Sequence, residues 1–188
     1  MTSHGHTPTS FAQALDTLRG VRYRREFTVD EAPAPSRLAP FAYAQTLDID
    51  YRGQEIGSGR LVILHDPEGR ESWLGETRVI AYVDTEVEPE VATDPLLTEV
   101  GWDWLSEGIE NAGAPARALG GTVTQVNSRS FGALDERAPE GRIQLRASWT
   151  AVDNFDLIPH AVAWAHMASS CAGLTPEDTT VAGFPGPR

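Results

Sequence analysis

The side chains of this chain with chemical potential are its five histidines, its single cysteine and its 27 carboxylates. Cys171 is the obvious nucleophile. A catalytic cysteine needs a base beside it and an electropositive setting. His160 and His166 are the nearest candidates in sequence, but on a helical projection both point away from Cys171. Cys171 instead shares a face with Ala161, Ala165, Ala168 and Ala172, which describes a buried structural thiol. In His65-Asp66, Asp66 reads as a turn residue and His65 as a strand-end side chain. Ser128 and Ser130 lack the glycine elbow of a nucleophilic serine. Gly57-Ser58-Gly59 and Gly120-Gly121 precede strands, so neither is a phosphate loop. One cysteine allows neither zinc-type spacing nor an intrachain disulfide. His4 and His6 sit in a terminal tail. No catalytic, cofactor-binding or metal-ligating residue is therefore assigned, and no cofactor is expected. An enzyme would need a site formed only in three dimensions, for example from His65, Asp48, Asp50 and Arg146.

The most informative segment runs from Asp94 to Leu105. Asp94-Pro95 reads as a carboxylate N-cap followed by proline at the first helical position. At about 100° per residue, Leu97, Val100, Gly101, Trp104, Leu105, Gly108 and Ala112 form a face for the sheet. Trp102 lies well off that face, Ile109 lies near Trp102 at i+7, and Leu105 sits between the two faces. Glu99, Asp103, Glu107 and Glu110 make a further acidic stripe with no arginine on the helix to answer it. The candidate protein interface is thus Trp102, Leu105, Ile109, Glu99, Asp103, Glu107 and Glu110. Two plainer readings stand beside it. Trp102 and Ile109 can tuck under a terminal segment, and the acids can be a solvated face that keeps the protein soluble.

The elements that position this helix follow from periodicity. Residues 1–8 read as a disordered tail. Thr9 or Ser10 starts a helix to about Val21, with Phe11, Leu15 and Leu18 at helical spacing. Tyr23 to Asp30 alternates weakly, as an edge strand. After the extended Ala32-Pro33-Ala34-Pro35 link, Phe41 to Tyr51 alternates with period two. A turn at 52–55 leads to a strand at 58–65. Asp66-Pro67-Glu68-Gly69 has type I turn chemistry, and a long strand follows to Val87. Beyond the Asp94 helix come strands at 122–131 and around 143–150, the latter with Ile143, Leu145, Ala147 and Trp149 inward. A last helix spans 156–172, stopped by Gly173, and 174–188 reads as a flexible tail. The expectation is a single α+β domain over 9–173: a curved antiparallel sheet of about five strands with helices on one face, in the order α-β-β-β-α-β-β-α.

The chain has 188 residues, 40% of them hydrophobic, which suffices for one sizeable core. Its net charge is −12. Such an acidic chain is repelled by nucleic acid and by anionic membrane. All the basic residues are arginine, which reads as GC-rich coding. No apolar run reaches the roughly 20 residues of a membrane helix, and Met1 to His6 does not resemble a signal peptide. With one cysteine, a cytoplasmic location is expected. The expected role is non-catalytic: a protein-binding, adaptor or chaperone-like module, possibly homodimeric, that uses the 94–112 helix. Its partner would be another protein or a second copy, with no direct contact to nucleic acid or membrane. The alternatives are the small enzyme described above and an accessory that reaches a nucleic-acid enzyme through a protein partner.

Four stretches, Arg37-Leu38-Ala39-Pro40-Phe41, Gly59 to Pro67, Asp94 to Leu105 and Arg146-Ala147-Ser148-Trp149-Thr150, resemble the actinobacterial family of domains of unknown function numbered three thousand. The likeness spans roughly residues 10–175, and the Asp94 block is its most specific part. It implies a high-GC Gram-positive source and no assigned activity. The order of elements also resembles the fold of type III secretion chaperones, small acidic proteins that bind other polypeptides.

Overall fold

The alternating apolar residues of six segments build the floor of the molecule. The computed structural model describes residues 9–153 and 155–175. Its strands are β1 (Phe27–Ala32), β2 (Phe41–Tyr51), β3 (Gln54–Arg70), β4 (Gly75–Val87), β5 (Ala116–Ser128) and β6 (Glu140–Ala151). They form one open sheet in the order β1-β2-β3-β4-β6-β5, with every neighbouring pair antiparallel. Three helices, α1 (Thr9–Arg19), α2 (Leu97–Asn111) and α3 (Ile158–Cys171), complete a single α+β domain. No helix among the described residues is long and apolar enough to cross a membrane.

One parity of each strand faces the helices. Tyr43, Leu47 and Ile49 of β2, Leu61 and Ile63 of β3, Val79, Ala81 and Val83 of β4, and Ile143, Leu145 and Trp149 of β6 are buried there. The opposite parity meets a smaller cluster of Ala44, Val62 and Leu64, packed with Ala34, Ala39 and Trp73. The polar side chains Arg60, Tyr82, Arg146, Asp84 and Gln144 share this second face, since Arg60, Tyr82 and Arg146 stand opposite one another across β3, β4 and β6. The edge strand weakly indicated at Tyr23–Asp30 is β1, shifted to Phe27–Ala32, which brings the sheet to six strands.

Helix α3 occupies the centre of the helical layer. Nine of its 14 residues are buried, on nearly all sides, as expected for a helix flanked by sheet and other helices. Trp164 keys it to the sheet. Its indole Nε1–H donates to the Tyr82 carbonyl at 3.2 Å. The ring lies over Gly59, where an added Cβ would stand 3.3 Å from Trp164. Beyond the helix, Leu174 is buried at 7% exposure and the Thr175 carbonyl accepts from Arg24 at 2.6 Å. These two residues fall in the stretch that the sequence assigns to a flexible tail, but both are fastened to the domain. The remainder of that stretch and residues 1–8 lie outside the described residues.

Arg24 makes a second fastening. Its side chain is 5% exposed and pairs with Glu26 at 2.9 Å, while also reaching Ser169 of α3 and lying over the Phe27 ring. Breaking such a pair from one side leaves a buried charge unanswered. The guanidinium holds the Glu26 carboxyl down at about 2.

Several local expectations shift. Asp94 has the extended backbone of an N-cap and accepts the Leu96 N–H at 2.9 Å, but the regular α-helix begins only at Leu97. The Asp66–Gly69 stretch is not a hairpin turn. There β3 continues to Arg70 through an irregular register, held by Asp66 accepting from the Glu68 N–H and from Arg70. The chain reverses instead over 71–74, where Leu74 takes a left-handed φ of 57°.

Two outcomes follow. Trp164→Ala should cost about 3–5 kcal/mol, as large aromatic deletions in cores do, and Trp104→Ala clearly less, because Trp104 is only half-buried. Urea unfolding midpoints of the two variants measure the difference. Because the folded pKa of Glu26 is depressed, its contribution is present above the ordinary value of about 4.5 and is lost as pH falls toward about 2. Glu26→Gln should therefore be less stable at neutral pH, with a flatter stability profile through that window. Denaturant titrations across it would disprove this if the two profiles ran parallel.

Candidate functional site

The surface around α2 is set by which of its residues turn inward. Leu97, Gly101, Leu105 and Gly108 are the buried ones. Gly101 brings the helix onto the sheet, since a Cβ there would meet Ile143 at 2.9 Å and Val123 at 3.1 Å. Gly108 brings it onto α3, where a Cβ would stand 3.1 Å from the Ala163 carbonyl and from His166. The helix is thus wedged between the sheet and α3, and the centre of its buried face falls near Gly101. On a projection of about 100° per residue, Trp104 lies to one side of that centre and Trp102 to the other.

This corrects three assignments. Val100, placed on the sheet face by spacing, is 38% exposed. Trp104 is half-buried and lines a cleft with Cys171, Val87 and Arg142 rather than filling the gap above the sheet. Leu105, counted with the candidate interface, is fully buried in the core. Ile109 is half-buried against that same core.

Trp102 is half-buried, and among the described residues it is covered by β5. Its ring lies on Gly121, where a Cβ would stand 2.9 Å from the indole. Thr98, Glu99, Trp102 and Asp103 on the helix and Gly121 and Val123 on β5 bound a shallow groove. Farther along, Gln125 of β5 donates to the carbonyls of Ala92 and Asp94, so α2 runs antiparallel to β5. Glu99, Asp103, Glu107 and Glu110 are all exposed. None of their side chains makes an ion pair or hydrogen bond among the described residues. The sequence signal for this groove was the glycine pair 120–121 in an uncharged run, a feature that spacing within α2 alone does not reveal.

The titratable groups with chemical potential are committed elsewhere. His65 is buried, its Nδ1 2.9 Å from the Thr77 hydroxyl and its ring stacked 4.9 Å from Phe11. Burial lowers its pKa. It faces the helices, whereas Arg146 lies on the opposite face of the sheet with Asp48 and Asp50. These four residues do not converge. His160 accepts the Trp149 Nε1–H at Nδ1, 2.9 Å away, which leaves its proton on Nε2. Burial pushes its pKa down to about 4. Cys171 is 1% exposed, and burial pushes its thiol up to about 12.

The cleft beside Trp104 has a volume of about 750 Å³ and is lined by Tyr51, Glu86, Val87 and Arg142. Its arginine is already engaged: Arg142 pairs with Asp84 at 2.7 Å and with Glu86 at 3.5 Å.

Only a thiolate reacts readily with alkylating reagents. Cys171 should therefore label slowly in the native protein and at the rate of a free thiol in urea. Fast native labelling, followed by mass spectrometry, would contradict its placement.

No curated protein and no solved structure matches the chain. The family described as "Protein of unknown function (DUF3000)" matches residues 7–181. That match covers nearly the whole chain, which therefore belongs to this family.

Proposed function

We propose that this domain is a non-catalytic protein-binding module, of adaptor or chaperone-like kind, and that it docks a basic protein segment on the outer side of α2. The observation that carries this reading is the acidic row Glu99, Asp103, Glu107 and Glu110, exposed and without internal counter-charge beside the Trp102 groove.

Four acids on one face of a helix that carries no arginine give the row its weight. Some carboxylates elsewhere have arginine partners: Asp16 and Glu31 share Arg19, Glu26 has Arg24, Asp66 has Arg70, and Asp84 has Arg142. On α2 the acids stand at helical i, i+4 spacing, where like charges cost roughly 0.2–0.5 kcal/mol per pair. A basic partner relieves that repulsion and gains Coulomb attraction. Charged rims of this sort govern encounter rate and partner choice more than raw affinity. The interior of the chain fits the same reading, since the groups suited to catalysis are buried in structural bonds. A cytoplasmic setting suits a protein with one buried thiol.

The test is a triple change, Glu99→Gln, Asp103→Asn and Glu107→Gln, which removes charge and keeps shape. Its thermal midpoint should stay level or rise slightly. Affinity for arginine- and lysine-rich peptides, read by fluorescence anisotropy, should drop by roughly tenfold or more, together with most of its salt dependence. Equal binding by the triple variant and the parent protein rejects α2 as the docking face. The same holds if no basic peptide binds the parent.

A further inference from the structure

We infer that the partner segment binds as a seventh strand, an extended basic peptide paired to the free edge of β5 beneath α2. This rests on the reading of α2 as a docking face and specifies how the ligand is held.

The two edges of the sheet differ in how they are protected. An edge strand presents a row of unpaired N–H and C=O groups, which proteins usually blunt with short length, charge or proline. The β1 edge has all three. It is six residues long, contains Asp30 and Glu31, and is followed by Pro33. Glu31 is also tied to Arg19 of α1 at 2.9 Å. The β5 edge is 13 residues long, and from Ala118 to Ser128 it carries neither charge nor proline. Its one irregularity is the bulge between Arg117 and Gly120, where Ala118 takes a φ of 51°. From Gly120 to Ser128 the pairing with β6 is regular, and the other edge is unpaired among the described residues.

What flanks this edge indicates the chemistry of the ligand. On the helix side a new strand would run past Glu99, Asp103 and the Trp102 ring, which already border Gly121 and Val123. On the far side it would meet Thr122 and Thr124, which stand opposite Arg146 and Gln144 of β6. Side chains of a strand alternate between faces. The complementary peptide therefore carries arginine or lysine at every second position, toward α2, and small uncharged residues such as threonine between them. Backbone pairing supplies affinity and the alternating side chains supply selection.

Charge also argues against a second copy of this chain as the occupant. Antiparallel pairing of β5 with itself about a two-fold axis normal to the sheet keeps both α2 helices on the same side of the seam. Their acidic rows would confront each other, between chains that each carry a net charge of −12.

The probe is a synthetic peptide of about nine residues, within the usual strand length, alternating arginine with threonine. Two more versions are N-methylated at the arginines or at the threonines. In an added strand, only one of these sets of N–H groups points at β5. One methylated version should therefore bind roughly tenfold more weakly or worse, and the other about as well as the parent peptide. Amides along 120–128 should gain protection from hydrogen exchange when the parent peptide is added. Of Thr122→Pro and Val123→Pro, the variant whose lost N–H points outward should stay folded and lose binding. Suppose instead that both methylated peptides bind like the parent, while the Glu99→Gln, Asp103→Asn, Glu107→Gln protein binds none of them. Docking is then by charge alone: strand addition is wrong and the proposed function survives. If the parent peptide binds neither form of the protein, both readings fail. If the 120–128 amides are protected without peptide and the mass by light scattering is doubled, a second copy closes the edge, and the inference is overturned.

Discussion

The position of α3 is the constraint on which the rest of the structure depends, and Trp164 sets it. Six strands offer a broad apolar face, and a helix could cross it at many places. The indole needs a gap in the side chains and an acceptor for its N–H. Gly59 supplies the first and the Tyr82 carbonyl the second. A buried indole N–H without a partner would be costly, so the tryptophan ties register as well as volume to one place. With α3 fixed there, Arg24 reaches Ser169 and the Thr175 carbonyl, and Trp149 reaches His160. Of the groups that look chemically active along the chain, His160 becomes a polar fastening of this helix, while His65 is bonded to Thr77 and stacked on Phe11.

Helix α2 is then positioned by contact with two surfaces at once. Gly108 lets it close on α3 and Gly101 lets it close on Ile143 and Val123. A larger residue at either site would push the helix outward or force its neighbours to move, since packed interiors absorb even one methylene poorly. This double approach turns Trp104 toward the end of α3 and Trp102 toward β5. It also leaves the carboxylates of α2 exposed. The chain path has the same consequence for the sheet. Because α2 carries the chain across to the far edge and β6 returns between β4 and β5, a strand uncharged from Ala118 to Ser128 is left outermost.

The period-two alternation of β2, β4 and β6 was readable because each packs one face on the helices, and Ile143, Leu145, Ala147 and Trp149 are buried as their spacing requires. The helix order and the Gly173 stop, with its φ of 64°, were readable for similarly local reasons. Misreadings fall where a residue answers to two neighbours. Periodicity describes one stripe per helix, but α2 has sheet below and α3 beside it, so Val100 and Trp104 were assigned to a face they do not occupy. Asp66-Pro67-Glu68-Gly69 has the composition of a tight turn, yet Arg70 captures Asp66 and the strand runs on. Leu174 follows a helix stop and precedes a proline-rich stretch, so its anchoring could be seen only once Arg24 was in place. Of the candidate site, the acidic row was legible from i, i+4 spacing. The groove beside it was not, because Trp102 and Gly121 meet only after the crossover.

The distribution of charge is the last link between fold and function. The chain sets 15 arginines against 27 carboxylates, and six of those carboxylates are in ion pairs among the described residues. Arginine suits this task because its planar fork can serve several acceptors. Arg19 and Arg142 each hold two carboxylates, and Arg78 bridges Ser148, Thr150 and Ala118. Repulsion is damped at those pairs, whereas the four acids in a row on α2 are in no ion pair among the described residues. Surface ion pairs contribute little to stability in water, so leaving that face unpaired costs the fold little. It does cost the freedom to sit beside another acidic surface. A face that the fold can leave bare at small expense, next to a strand edge that is uncharged and regularly paired from Gly120 to Ser128, is the surface proposed to take an extended basic chain.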